Sequence, residues 1–350
     1  MRVIVLFDNV PGGIKRVVDY MMEAPDERVS FDVFPTHGPM WKSLLQMPFR
    51  LCSFFFLCLR KRYDICHINV AAHGSTVRKV LYALICRLTG QPYVIHLHGS
   101  RYRDFYDDLP AFGKSIVRSL FEKAQKVIVL GSVWRDYVVD VIGIDQSRVE
   151  ILQNAVYAPD EVPEKPERTS GPHILFLGRL GERKGAPELV EALSSAKMES
   201  LKWTATLAGD GDVDFYSNLA KERGVIERIE FPGWVGPQDV RKLLSTADII
   251  VLPSYAENLP LSMLEGMAYE LCPVVTPVGA VGDVIHDGEN GLLVPVGDEE
   301  KLADALARVV GDAQLRRRLA SQARRDFVAT FDLKTYNGKL AGIYAGALGH

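Results

Sequence analysis

What most constrains this chain is an alternation that runs its length and restarts halfway. Short apolar runs (RVIVLF, FDVF, YDICHIN, YVIHLHG, KVIVLGS, VEILQN) recur through the first half, separated by amphipathic stretches. Ile14, Val17, Val18 and Met21 show the helical spacing of those stretches, one buried face at i, i+3, i+4, i+7. Strands that are apolar throughout need cover on both faces, so the pattern predicts a parallel sheet between helices, an α/β fold. After Asn154 the texture changes: YAPDEVPEKPERTSGP (157–172) is rich in Pro and Glu, has no period and reads as a linker. The alternation then resumes with HILFLGRL, WTATLAGDG, IEFPGWV, ADIIVLPS, CPVVTP and GLLVP. Two Rossmann-like, doubly wound domains facing one another are therefore predicted. Ligands in such sheets sit beyond the carboxyl ends of the strands, which predicts an interdomain cleft. The expected boundaries are 1–157 for the first domain, 158–171 for the linker and 172–330 for the second domain. A final helix, 331–350, is expected to pack back on the first domain.

Composition narrows the class. With 350 residues the chain exceeds one ordinary core, and 47% hydrophobic with 24% charged residues is the balance of a folded globular protein. A formal net charge of -3 gives no bulk electrostatic case for nucleic acid. No run reaches the roughly 18 apolar residues needed to span a bilayer. The opening MRVIVLFDNVPGG reads as a strand and glycine turn, not a signal peptide. Five cysteines without CxxC spacing read as reduced thiols, so a cytoplasmic location is expected.

Four segments carry candidate chemistry. In PSYAENLPLSMLEGMAYE (253–270), Pro260 suits the first turn of a helix, so the amides of Asn258 and Leu259 would be donors at a positive helix end. Glu265 can accept hydrogen bonds from both hydroxyls of a ribose; the alternative is a capped surface helix with solvated glutamates. FLGRLGERKG (176–185) places Arg179, Arg183 and Lys184 among glycines, a setting for phosphate, although an exposed basic turn reads the same way. In IHLHGS (95–100), His96 and His98 are expected to divide, one toward the cleft and the other into the fold. In NVPGGIKRV (9–17), Gly12 and Gly13 allow backbone to approach a ligand or simply make a tight turn. Neither a P-loop nor G-x-G-x-x-G is present. GDGDVD (209–214) reads as a strand-to-helix turn capped by Asp212, and no His/Cys cluster has zinc spacing, so no metal is expected.

Taken in order, Gly12-Gly13, HLHG around His98, GR…KG at Arg179 and Lys184, and Glu257-x7-Glu265 resemble retaining glycosyltransferases of the GT-B fold, specifically family 4. The resemblance spans nearly the whole chain. It implies a hexosyl transfer from a nucleoside-diphosphate sugar, UDP- or GDP-linked, to a saccharide or lipid-linked saccharide, in cell-surface polysaccharide or glycolipid synthesis, without further cofactor. It also implies that Arg179 and Lys184 hold the diphosphate and that Glu265 binds the ribose. Glu257 with the amides of Asn258 and Leu259 would meet the transferred sugar and distal phosphate. His98 would contact the sugar, Gly13 would let the first loop approach the phosphate, and Trp234 and Val235 would stack on the base. Arg101, Arg103 and Asn154 are the acceptor-side candidates. A nucleotide-sugar epimerase or hydrolase of the same fold, and a nonenzymatic sugar-nucleotide-binding subunit, are the rival readings.

One stretch stands outside that scheme. WKSLLQMPFRLCSFFFLCLRKR (41–62) holds Lys42, Arg50, Arg60, Lys61 and Arg62 without an acid, interleaved with Trp41, Phe49, Phe54, Phe55 and Phe56. It reads either as a core helix with a wet basic end, broken at Pro48, or as a patch that docks on anionic lipid at the inner face of the plasma membrane.

Overall fold

The computed structural model describes residues 1–10, 12–23, 26–37, 40–166 and 168–349, with side chains left out at 37 and 40–44. It divides into two compact units. Unit 1 is residues 1–155 together with 333–350, and unit 2 is 156–332.

In unit 1 the order is β1 (Arg2–Asp8), α1 (Gly13–Glu23), β2 (Ser30–His37), α2 (Met40–Leu59), β3 (Ile65–Val70), α3 (Gly74–Thr89), β4 (Tyr93–Leu97), α4 (Tyr102–Asp107), α5 (Ala111–Glu122), β5 (Val127–Val129), α6 (Ser132–Asp136) and β6 (Val149–Ile151). The six strands are parallel in the order β2-β1-β3-β4-β5-β6. The apolar runs are buried on both sides, as their lack of alternation requires; every residue of β3 and β4 is buried. One face packs Phe54, Tyr82, Tyr102, Phe121 and Trp134 into a single core.

Unit 2 repeats the plan with β7 (His173–Leu177), α7 (Ala186–Leu193), α8 (Ala196–Glu199), β8 (Thr204–Ala208), α9 (Val213–Glu222), β9 (Ile229–Gly233), α10 (Pro237–Thr246), β10 (Ile249–Leu252), α11 (Leu261–Ala268), β11 (Cys272–Val275), β12 (Leu292–Leu293), α12 (Glu299–Gly311) and α13 (Ala313–Thr330). Its parallel sheet has the order β12-β11-β10-β7-β8-β9. All twelve predicted strands form, six to a sheet. Helix α13 ends at Thr330, and after Phe331 and Asp332 the final helix follows as α14 (Leu333–Leu348).

Helix α14 is part of unit 1. Asn337 Nδ2 lies 3.5 Å from the Met21 carbonyl at the end of α1, Arg28 donates to the Gly338 carbonyl at 3.1 Å, and the buried Tyr344 hydroxyl meets His67 Nδ1 at 2.7 Å.

Three local expectations need correction. Helix α2 runs through Pro48, forfeiting one backbone donor without ending. The aromatics of 41–62 do not share a surface: Phe54 is fully buried, while Phe49 and Phe56 are exposed. Arg50 is taken up by the fold, donating to the Pro35 carbonyl at 2.5 Å and to Gln46 at 3.0 Å. Arg60, Lys61 and Arg62 are exposed at the end of the helix, and the side chains of Trp41 and Lys42 lie outside the described residues. Among the described residues no helix is long and apolar enough to cross a membrane.

Candidate functional site

Strand order decides where each sheet can hold a ligand. In unit 2 the chain runs outward from β7 through β8 to β9, then crosses back to β10 on the other side of β7. The loops after β7 and β10 therefore leave adjacent strands at the switch point, where sheets of this kind hold ligands. These are the loops that carry Arg179 to Lys184 and Glu257 to Leu259.

The two loops are tied together. Tyr255 N donates to the Arg183 carbonyl at 2.9 Å, and Arg183 Nη1 donates to the Ala256 carbonyl at 2.8 Å. Gly185 adopts φ +69°, and a Cβ there would lie 2.1 Å from the Pro253 carbonyl oxygen, so the approach requires glycine. Lys184 Nζ then reaches Glu257 Oε1 in an ion pair that is only 13% and 12% exposed. Arg183 Nη1 lies 3.8 Å from the same carboxylate oxygen. A third loop, after β11, locks the site from behind: Ala280 N donates to the Asn258 carbonyl at 2.7 Å, and Thr276 Oγ1 to the Ser254 carbonyl at 2.5 Å. Gly279, at φ +59°, sits where a Cβ would be 2.2 Å from the Glu257 carbonyl oxygen.

Asn258, Leu259 and Glu265 are all buried, Glu265 to 5% exposure within α11. Pro260 flanks α11 as its cap position, one residue before the predicted first turn. Arg179 lies apart from Lys184 in character, exposed and paired with Asp210 at 3.2 Å. Asp212 precedes α9 as expected, but its side chain makes no capping bond. Trp234, just past β9, is 71% exposed, and Val235 is half-buried.

In unit 1 the chain goes from β1 outward to β2 and returns to β3 on the other side, so the switch point lies between the loops after β1 and β3. Gly13 opens α1 there, and a Cβ on it would meet nothing within 4 Å. Beside it stands a cluster that sequence reasoning missed. Asp8 accepts from Lys79 Nζ at 2.7 Å, Arg78 Nη2 at 2.9 Å, Ser75 Oγ at 2.8 Å and Thr36 Oγ1 at 2.8 Å. Lys79 is wholly buried and also donates to Thr36 Oγ1 at 2.7 Å. Burial alone would raise the Asp8 pKa, but the Lys79 charge and these hydrogen bonds outweigh it and hold the carboxyl well below its usual range. Burial pulls Lys79 down to about 8 against the pull of Asp8. The available signal was the position of Asp8, the last residue of β1 before the glycine loop.

His96 and His98 lie on one face and differ in depth: His96 is fully buried and His98 half-buried. Positions two apart on a strand share a face, and their rings meet tilted at 40° with centroids 4.0 Å apart. His96 is deeper, its Nδ1 3.3 Å from His67 Nε2; His98 Nε2 lies 2.8 Å from Asn69 Oδ1. Burial, with the neighbouring His67, lowers the His98 pKa to about 3. Arg101 pairs with Asp104 at 3.0 Å, Arg103 lies over the Tyr137 ring at 5.1 Å, and Asn154 is buried at the end of the unit. The structure thus joins Lys184 to Glu257 and brings both beside the Asn258–Leu259 turn. It leaves Arg179 on Asp210, and Arg101 and Arg103 on partners of their own.

Comparison with known proteins matches the two halves of the chain separately. Residues 159–326 match the model "Glycosyl transferases group 1", and residues 2–155 match "Glycosyl transferase 4-like domain". An alpha-D-kanosaminyltransferase of Streptomyces kanamyceticus is 28% identical over 297 residues, 79% of this chain and 76% of that protein. The lipopolysaccharide core biosynthesis glycosyltransferase LpsE of Rhizobium meliloti is 37% identical over 161 residues, 46% of either chain. Among solved structures, Anabaena Alr3699/HepE in complex with UDP superposes with a TM-score of 0.79 at 18% identity, covering 99% of both chains. That match assigns the GT-B fold.

Proposed function

The chain belongs to the group 1 glycosyl transferases, and from that premise we propose that it transfers a hexosyl unit from a nucleoside-diphosphate sugar with retention of anomeric configuration. One observation carries the reading: the ion pair of Lys184 with Glu257 at the switch point of the unit 2 sheet, beside the Asn258–Leu259 turn that leads into α11. Departure of the nucleoside diphosphate builds negative charge on the leaving oxygens and positive charge on the anomeric carbon. Lys184, Arg179 released from Asp210, and the amides of Asn258 and Leu259 meet the first charge without proton transfer. Glu257 faces the sugar and the distal phosphate. Glu265 accepts from the ribose hydroxyls, and Trp234 with Val235 offers a face to the base.

Unit 1 supplies the acceptor side in this reading: Gly13 for close backbone approach, His98 for a sugar hydroxyl, and Arg101, Arg103 and Asn154 for the acceptor. UDP and UDP-glucose in the structures of HepE favour a UDP-linked donor, and the likeness to LpsE favours a saccharide or lipid-linked saccharide acceptor in cell-surface glycan synthesis. In this reading α2 supports docking on anionic lipid at the inner face of the plasma membrane. Leu45, Phe49, Phe56 and Leu59 lie along one helix face, each at least 51% exposed, and Arg60, Lys61 and Arg62 stand exposed at its end. Vesicle sedimentation tests this part: binding to anionic vesicles should fall with salt and with Arg60, Lys61 and Arg62 changed to Glu.

The test of the chemistry is a panel of UDP-, GDP- and ADP-sugars with saccharide acceptors, read by NMR of the anomeric proton in the product. Retained configuration is expected. An inverted product would refute the mechanism, and free sugar or an epimer formed equally without acceptor would replace transfer by hydrolysis or epimerisation.

A further inference from the structure

Asn69, on β3, lies in unit 1 with 1% exposure, and its amide orientation is fixed by the sheet itself. Its Nδ2 donates to the Leu6 carbonyl of β1 at 3.1 Å, an oxygen that can only accept. The other end of the amide, Oδ1, therefore points at His98 Nε2 across 2.8 Å. An amide oxygen cannot donate, so His98 Nε2 must carry the proton in that contact.

Burial keeps the His98 ring neutral at physiological pH. A neutral imidazole has one N–H, so with Nε2 protonated the Nδ1 atom is a bare lone pair. Nδ1 has no hydrogen-bond partner among the described residues. The ionisable groups facing His98 are His96, in tilted ring contact with it, and His67, whose other nitrogen is held by Tyr344 of α14.

We propose that Asn69 is a positioning residue that locks His98 in the Nε2–H tautomer, so that His98 Nδ1 accepts a hydrogen bond from a hydroxyl of the transferred sugar. This rests on the reading of His98 as a sugar contact and deepens it in one respect. The contacted sugar position must carry a hydrogen-bond donor, a free hydroxyl or amine, and a deoxy or O-methyl group there leaves Nδ1 unpaired.

The tautomer can be read without any substrate, from long-range 15N–1H correlation spectra of the intact labelled chain, with His98 assigned by its absence in His98→Gln. The expected pattern is a protonated, pyrrole-type Nε2 and an imine-type Nδ1 from pH 6 to 8. Asn69→Ala should mix the two tautomers. Asn69→Asp keeps an acceptor but adds a charge that favours the imidazolium. It should preserve the Nε2 proton, raise the His98 pKa by at least one unit and give the transfer rate an acid limb that the parent lacks. An Nδ1–H tautomer in the parent, or an unchanged tautomer in Asn69→Ala, overturns the proposal, as does a pH–rate profile of Asn69→Asp that superposes on the parent's. Failure of the underlying reading shows separately: full turnover in His98→Ala would remove the sugar contact while the spectra still report the lock.

Discussion

Replacing Lys184 by methionine should weaken nucleotide binding by more than the loss of one contact, because it also exposes the ligand to the partner left behind. A charge-assisted hydrogen bond to the diphosphate contributes about 1.5–3 kcal/mol, roughly ten- to a hundredfold in affinity. Lys184 is also the counter-charge of Glu257, a carboxylate only 12% exposed. With the lysine gone, a carboxylate and a phosphate about 5 Å apart at an effective dielectric near 20 repel by roughly 3 kcal/mol. Arg183, 3.8 Å from the same oxygen, offsets part of this. The double variant Lys184→Met/Glu257→Gln loses the contact but leaves no uncompensated carboxylate, so it should bind more tightly than Lys184→Met by about tenfold or more. Titration calorimetry with whichever of UDP, GDP and ADP binds the parent measures the cycle. A double variant that binds no tighter than Lys184→Met would refute the argument that the ion pair marks the phosphate position.

Three further outcomes are expected. Asp8→Asn should cost about 3–5 kcal/mol of stability, because it strands the wholly buried Lys79; Lys79→Met should cost less, since Arg78, Ser75 and Thr36 still satisfy Asp8. Urea unfolding that ranks the two the other way round would remove the cluster's assigned polarity. Acid should destabilise unit 1 early. Burial lowers His67 to about 4, so the ring is neutral in the fold and the unfolded chain takes up protons as pH falls below its ordinary 6.5; that contribution, on the order of 3 kcal/mol, is present above pH 6.5 and lost as pH falls toward 4. Denaturation midpoints at pH 7 and pH 5 should differ, and the difference should shrink in His67→Gln; equal midpoints in the parent would show the ring is not held neutral. Finally, Gly279→Ala should cost about 2–4 kcal/mol and disturb the 257–259 turn, whereas Gly282→Ala, which faces open space, should be near neutral; equal melting temperatures would contradict the close approach.

The fold was legible because continuous apolar strands and a restarted alternation are local signals, and both sheets use every strand so marked. Glu257 and Glu265 were legible as a spacing within one segment. The pairing of Glu257 with Lys184 was not, since it depends on β10 returning to the side of β7, which no local pattern encodes. The Asp8 cluster was hidden for the same reason: its partners lie 28 to 71 residues away in sequence. On α2 the sequence shows aromatics but not which helix face meets the sheet, so Phe54 and Phe56 looked alike although one is core and the other is exposed.

The placement of α14 has a consequence for how the protein is made. Unit 1 draws on residues at both ends of the sequence, whereas unit 2 is one uninterrupted segment. On the ribosome, β1 to β6 emerge first, yet α1 lacks its neighbour and His67 lacks the Tyr344 hydroxyl until all of unit 2 has followed. At roughly 5–20 residues per second, that delay is about ten to forty seconds. Through this interval the nascent first unit presents the surface that Leu340, Ala341 and Tyr344 will cover, while the second unit has all it needs to finish. Order of birth and order of completion are thus reversed, and the early-born unit is the one exposed to chaperones and to its neighbours on a polysome.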